Sequence, residues 1–311
     1  MLTPRFRKPR LLPVLAAALV SAGCAGAGTT LPVRWDHASA KPRPDMTTIC
    51  AGKKAWADPG PPVPIFGNVY HVGTCTITSL LITSPQGHIL IDAPTEAAVP
   101  DILANVRKLG FDPRDIRLIL NSHEHWDHSG GLAAMKAATS APLAASPAAR
   151  AALESGRPDP ADPQATWLEP APPAAVDRTV RDGETVSVGP LRLTLHATPG
   201  HAPGSTTWTW RSCEGATCRA FVYADSLSTP APATYRFTDH PERVAALRAA
   251  AAQIAAMDCD VLLTPHPGQS NMYARYAGQA PLVNRAACRD YAAAANTAMD
   301  ERLASEQKPP R

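Results

Sequence analysis

His123-Glu124-His125-Trp126-Asp127-His128 sets four metal-capable side chains within six residues. Neutral imidazoles and a carboxylate are the ligands zinc takes in catalytic sites, where an open position holds water. The spacing is too tight for one tetrahedral ion to use all four easily, which points to two neighbouring metals. A His-rich hexapeptide can also be a surface loop or an adventitious metal site. Its flanks argue against that. Ile116-Arg117-Leu118-Ile119-Leu120 before it reads as a short buried strand. After it come Gly130-Gly131 and then Leu132 to Ala138, which reads as a helix. Ligands on a strand-to-helix loop stand where open α/β sheets place active sites.

Two metals need more donors, and three further strand ends offer them. Thr198-Pro199-Gly200-His201-Ala202-Pro203-Gly204-Ser205 carries a histidine among turn residues that allow close backbone approach. Leu263-Thr264-Pro265-His266-Pro267 carries another, directly after a buried strand and between prolines that restrict its backbone. Ala224-Asp225-Ser226-Leu227-Ser228 follows a strand with a carboxylate and two hydroxyls.

Outward from these loops the chain reads as two similar halves. Strand patterns at Val69–Val72, Thr76–Ile82 and His88–Asp92 lead to a helix from Pro100 to Leu109, ended by Gly110. A second helix past the His-rich loop is capped by Ser146, with Pro147 in its first turn and Gly156 beyond its end. Arg157 to Arg178 is a Pro-, Asp- and Ala-rich loop. Strands resume around Val186, at Leu191–Leu195, Thr206–Trp210 and Ala220–Tyr223. A helix from Pro241 to Met257, a strand Asp260–Thr264 and a last helix from Leu282 towards Leu303 complete the pattern. Strands first and helices interleaved, twice over, predict an α/β fold: a four-layer αβ/βα sandwich packed sheet to sheet.

The 311 residues fit one large domain or two small ones. Arg5, Arg7, Lys8 and Arg10 stand before an apolar run from Leu11 to Ala22, too short to span a bilayer, and the segment reads as an export signal over residues 1–27. Ala22-Gly23-Cys24 resembles a lipoprotein processing site with Cys24 as the lipid anchor, although Ser21 stands where such sites usually carry Leu. Cleavage after Ala25-Gly26-Ala27 is the alternative. An irregular arm (28–63), the main domain (64–305) and a polar tail (306–311) follow. Removing the four signal charges from the formal +3 leaves −1. That gives no electrostatic case for nucleic acid or an anionic membrane surface. Six cysteines remain beyond Cys24, an even set that in an exported protein predicts disulfides. Cys213 and Cys218 flank a turn-like Glu214-Gly215-Ala216-Thr217, so a local bridge is the simplest pairing. Zinc binding by cysteines is the alternative, but none lies in a Cys-x-x-Cys motif.

The chain resembles the metallo-β-lactamases, and within class B it is similar to the third subclass. The His-x-His-x-Asp-His motif marks only the wider superfamily. The combination is more specific: Asn68-Val69-Tyr70, Gly87–Asp92, Thr198–Ser205, Tyr223–Ser228 and Leu263–Pro267, in order and spacing. The likeness covers about Pro64 to Leu303. It implies two zinc ions, one held by His123, His125 and His201, the other by Asp127, His128 and His266. It implies pairings Cys50–Cys75, Cys213–Cys218 and Cys259–Cys288. It implies that Ser226 and Ser228 orient the substrate carboxylate. Outside the matched positions, His37, His71, His88 and His240 read as surface or packed residues. His196 and Asp92 read as candidates to hold a ligand from behind, Glu124 as solvated and Trp126 as packed beneath the loop.

The implied activity is β-lactam hydrolysis, carbapenems included, by a metal-activated hydroxide in the periplasm, conferring antibiotic resistance. Asp127 is both ligand and orienter of the nucleophile. No Ser-x-x-Lys motif stands at a matching place. The rivals are a hydroxyacylglutathione hydrolase or lactonase of the same fold, or a non-catalytic zinc-binding protein. The first two use a bridging Asp in the Asp225-Ser226 region, which makes Asp225 the discriminating residue.

Overall fold

A computed structural model describes residues 43–307. The signal-like segment, Cys24 and His37 lie outside the described residues. Two sheets form the centre. The first has seven strands in the order β1 to β7: Val63–Phe66, Val69–His71, Leu80–Ile82, His88–Ile91, Ile116–Leu120, Leu143–Ala145 and Arg178–Thr179. The second has five: β8 Thr185–Val188, β9 Leu191–Ala197, β10 Thr206–Glu214, β11 Thr217–Tyr223 and β12 Val261–Leu263, in the order β12-β11-β10-β9-β8.

The pairing follows the connections. Short turns join β1 to β4 as antiparallel neighbours. From β4 to β6 the neighbours are parallel, because helices Val99–Lys108 and Leu132–Thr139 carry the chain back between them. In the second sheet only β11 and β12 run parallel, bridged by helix Pro241–Ala255.

Alternation within the strands sorts side chains into separate cores. Ile89 and Ile91 face the second sheet, packing with Leu193, Leu195, Trp208 and Phe221. Leu90 between them faces the other way, onto Ile102, Val106, Leu132 and Met135 of the covering helices. A third core joins Val222 and Leu262 to Leu247, Ile254, Ala292 and Met299 of helices Pro241–Ala255 and Ala287–Glu306. Three apolar interfaces between helix, sheet, sheet and helix are the expected four-layer sandwich.

Several boundaries differ from the sequence reading. β1 and the Ala-rich β6 had no usable pattern, and only Leu80–Ile82 of the 76–82 stretch pairs as strand. The second helix is shorter than expected, Arg150–Ser155, because Ser146 Oγ accepts from Ala149 N in a turn before it. Gly156 closes it in the left-handed conformation. The arm contains helix Met46–Ile49, capped by Asp45. Cys50–Cys75 ties the arm to the first sheet, and Cys213–Cys218 and Cys259–Cys288 complete three disulfides. Among the described residues no helix is long and apolar enough to cross a membrane.

The sheets are joined at one end. Thr206 N donates to Ser122 O (2.7 Å), Trp208 Nε1 to Asn121 O (2.9 Å) and Tyr223 OH to Asp92 Oδ2 (2.6 Å). That end holds the carboxyl termini of β4, β5, β9, β11 and β12, and every singled-out loop.

Candidate metal centre

β5 ends at Leu120, and residues 121–125 cross the sheet edge before a short helix, Trp126–Ser129. His123 and His125 lie on the crossing. Asp127 and His128 lie on the helical turn, so helical geometry aims them to one side of the two histidines. His201 comes from the β9–β10 loop and His266 from just past β12.

The six side chains form two groups. Donor atoms of His123, His125 and His201 lie within 4.8 Å of one another. All three residues are buried. In the second group His128 Nε2 lies 3.2 Å from His266 Nε2 and 3.3 Å from Asp127 Oδ2, and His266 Nε2 lies 3.5 Å from that oxygen. A tetrahedral zinc with bonds of about 2.0–2.1 Å spaces its ligand atoms about 3.3–3.4 Å apart. Asp127, His128 and His266 already stand at that spacing. The groups adjoin, since donor atoms of His123, Asp127 and His128 also fall within 4.8 Å.

Outer hydrogen bonds fix which nitrogen of each ring faces inward. His123 Nδ1 is 2.8 Å from Asp225 Oδ1, leaving Nε2 buried without a partner and free for an ion. His125 is turned the other way: Nε2 is 2.8 Å from Asp162 Oδ2. His201 Nδ1 is 2.8 Å from the carbonyl of Ser228. His128 Nδ1 lies 3.7 Å from Asp92 Oδ2. Such partners set tautomer and basicity in zinc sites.

Three of the six donors are held neutral by their surroundings. Burial, reinforced by neighbouring imidazoles, pushes His201 down to about 3 and His266 to about 4, while His123 falls well below the ordinary value. These rings are neutral lone-pair donors at pH 7, the state a metal requires. Burial also opposes a charged His128, but Asp127 and Asp92 outweigh it and hold it at about 10. Burial opposes a charged Asp127 as well, yet the histidines around it keep it well below the usual carboxylate range. Nitrogen-rich donors with one carboxylate fit zinc better than calcium or magnesium, which take oxygen.

Asp92 is the keystone behind this end. Its backbone is left-handed (φ 65°), a conformation Asp tolerates better than most residues. Its carboxylate accepts from Ser122 N (2.6 Å), Ser122 Oγ (2.8 Å) and Tyr223 OH (2.6 Å). Asp225 lies behind His123, with its Oδ1 on the ring nitrogen that faces away from the donor cluster.

Other expectations are corrected. Glu124 is buried rather than solvated: Oε1 accepts from Gly204 N at 2.9 Å and pins the His201 loop to the His-rich loop. Burial pushes Glu124 up to about 7. His196 Nε2 is bonded to Thr209 Oγ1 at 2.8 Å and supports no ligand. Ser226 is fully buried, its hydroxyl engaged with Gln269, whereas Ser228 is exposed. Of the two serines, only Ser228 offers an exposed side chain. Trp126 is half-buried and forms a cleft wall instead of packing beneath the loop. His71 and His88 are packed, and His240 stacks on Tyr235. Asp162 was missed altogether. Its signal in the sequence is weak: a long loop without regular structure needs an anchor.

A groove of about 680 Å³ is lined by Trp56, Ala57, Thr95, Trp126, Gly130 and Pro172 among others; none of the six donors lines it, but Trp126 and Gly130 flank the helical turn that carries Asp127 and His128. The Trp56 ring is 5.7 Å from that of His266. A larger cavity of about 890 Å³, lined by β9 and β10 residues and Met257, contains none of these donors. Volume alone would choose it, but the converging ligands place the chemistry elsewhere.

Comparisons with known proteins agree with this geometry. The family model of the metallo-beta-lactamase superfamily matches residues 72–266. The structure resembles the metallo-β-lactamase MIM-1 of Novosphingobium pentaromativorans with a TM-score of 0.82 and 49% identity, over 84% of this chain and 97% of that one. It resembles MEM-A1, a subclass B3 metallo-β-lactamase from a soil metagenome library, with a TM-score of 0.78 and 41% identity, over 81% and 98%. A hydroxyacylglutathione hydrolase of Mesorhizobium japonicum is 28% identical over 119 residues, 38% of this chain and 36% of that protein. The chain thus spans little more than a third of that relative. Two adjoining donor groups on one sandwich edge, a family match across both, and near-complete overlap with B3 structures lead to one conclusion: this chain belongs to the metallo-beta-lactamase superfamily and resembles its subclass B3 members.

Proposed function

We propose that this protein is a zinc-dependent β-lactamase that works with two ions, accepts carbapenems among its substrates, and gives its host antibiotic resistance. His123, His125 and His201 would hold one ion; Asp127, His128 and His266 would hold the other. Zinc bound there supplies Lewis acidity and lowers the pKa of water towards 7. The protein supplies position and shape. Asp127, 16% exposed at its side chain, reaches the cleft and aligns the attacking water by accepting its hydrogen bond. Ser228 receives the substrate carboxylate, and Trp56 and Trp126 flank the groove that takes the apolar parts. Water adds across the lactam C–N bond, with hydroxyl to carbon and proton to nitrogen.

One observation carries the choice over the thioesterase and lactonase rivals. They need an aspartate between the metals, whereas Asp225 puts Oδ1 on His123 Nδ1, on the side away from the donors, and belongs to neither donor group. We place the protein in the periplasm. The basic and apolar N-terminal segment and three disulfides, which persist in oxidising compartments, support that reading. The test is carbapenem hydrolysis by purified protein. Activity lost to a chelator and restored by zinc is expected. Inactivity on every β-lactam, with turnover of a thioester or lactone, would transfer the function to a rival.

A further inference from the structure

The loop between Gly156 and Arg178 walls one side of the cleft, where Pro172 lines the groove with Trp56 and Trp126. Trp167 stands on it 59% exposed. Two polar contacts tie its middle to the body. Arg243 donates to the carbonyl of Ala161. Asp162 reaches 37 residues back along the chain to His125 Nε2 at 2.8 Å.

Asp162 is as buried as the histidine it meets, at 4% exposure for each residue. Its other oxygen, Oδ1, accepts from Gln164 N at 2.7 Å, which fixes the carboxylate within its own turn. A carboxylate taken out of water needs a strong donor opposite it. Here that donor is the outer nitrogen of His125. Of the three rings in its group, His125 alone is held by this loop; His123 and His201 are held by Asp225 and Ser228, on the segment after β11.

We propose that Asp162 is a positioning residue for His125 and that, through it, zinc on His123, His125 and His201 docks the cleft-wall loop. The inference rests on the metal reading above. An ion on Nδ1 withdraws charge from the ring and strengthens the Nε2–H bond to the carboxylate. By linkage, whatever the loop adds to zinc affinity, zinc adds to loop docking.

The test uses the full mature protein and zinc alone as probe. Affinity is measured by competition with a chromophoric chelator for wild type, Asp162→Ala and Asp162→Asn. Hydrogen exchange over residues 157–177 is followed in wild type with and without zinc. Expected are a 10–100-fold weaker tight site in Asp162→Ala, partial rescue in Asp162→Asn, which keeps an acceptor oxygen, and faster loop exchange on zinc removal. Wild-type affinity in Asp162→Ala overturns the positioning role. Loop exchange indifferent to zinc overturns the coupling, and reads out even if the alanine variant fails to fold. Wild type that binds no zinc overturns this inference and the metal reading together.

Discussion

The two donor groups share one end of the sandwich but are built to different standards. Every ring of His123, His125 and His201 has an outer partner at 2.8 Å: a carboxylate, a carboxylate and a carbonyl. The Asp127, His128 and His266 group is looser. His128 has only Asp92 at 3.7 Å on its outer side, and the side chains of Asp127 and His266 are 16% and 25% exposed. The first group is braced from three directions and closed. The second is more exposed, with the Trp56 ring beside His266. The lesson is a difference in construction, and on the function proposed above it would divide the labour: a braced end to retain an ion and a more open end to meet the substrate.

The largest effect tests the open end. On the proposed function, Asp127→Ala would remove a metal ligand and the acceptor for the attacking water at once. Steady-state kcat/KM for a carbapenem is expected to fall by roughly 10²–10⁴-fold or more, the scale of losing a positioned acid–base group. Turnover near wild type would remove Asp127 from the chemistry and break the division of labour.

A smaller effect separates the groups by metal affinity. Competition titration of wild type is expected to resolve a tight and a weak zinc. His266→Ala should abolish only the weak one. Asp225→Ala should weaken the tight one by roughly 10–100-fold, as losses of outer partners do. If His266→Ala instead removed the tighter ion, the braced-versus-open comparison would be reversed.

The same contrast explains what could be read from the chain. The hexapeptide was legible because six consecutive residues carry four donors, and β5 before it has a plain apolar pattern. His201 and His266 were legible from the Gly and Pro residues around them. The bracing was not. Asp162 meets His125 across 37 positions and Glu124 meets Gly204 across 80, and no local period encodes either contact. Ser226 was singled out by the resemblance alone; no local pattern signals that Gln269 from beyond β12 engages its hydroxyl. β6 stayed hidden because Leu143-Ala144-Ala145 has no side-chain signature apart from burial.

A histidine outside both groups supplies the control. His71 is fully buried on β2, beside the rings of Tyr273 and Tyr276, and neither ring nitrogen has a hydrogen-bond partner. Burial pushes it down to about 4, only partly offset by the nearby backbone of Thr74. Unlike His123 and His125 it has no carboxylate to share a proton with. Above the unfolded value of about 6.5 both states are neutral, and the group adds nothing to pH dependence. Between about 6.5 and 4 the unfolded chain binds a proton that the folded chain refuses, so stability falls as pH falls. At pH 5 that is about 1.5 pH units, or about 2 kcal/mol. His71→Leu is therefore expected to leave turnover at neutral pH unchanged and to flatten the loss of stability between pH 6.5 and 4, measured by denaturant unfolding. An unchanged acid slope would mean that His71 takes up its proton in the fold, and that burial without a carboxylate partner does not suffice to keep a histidine neutral here.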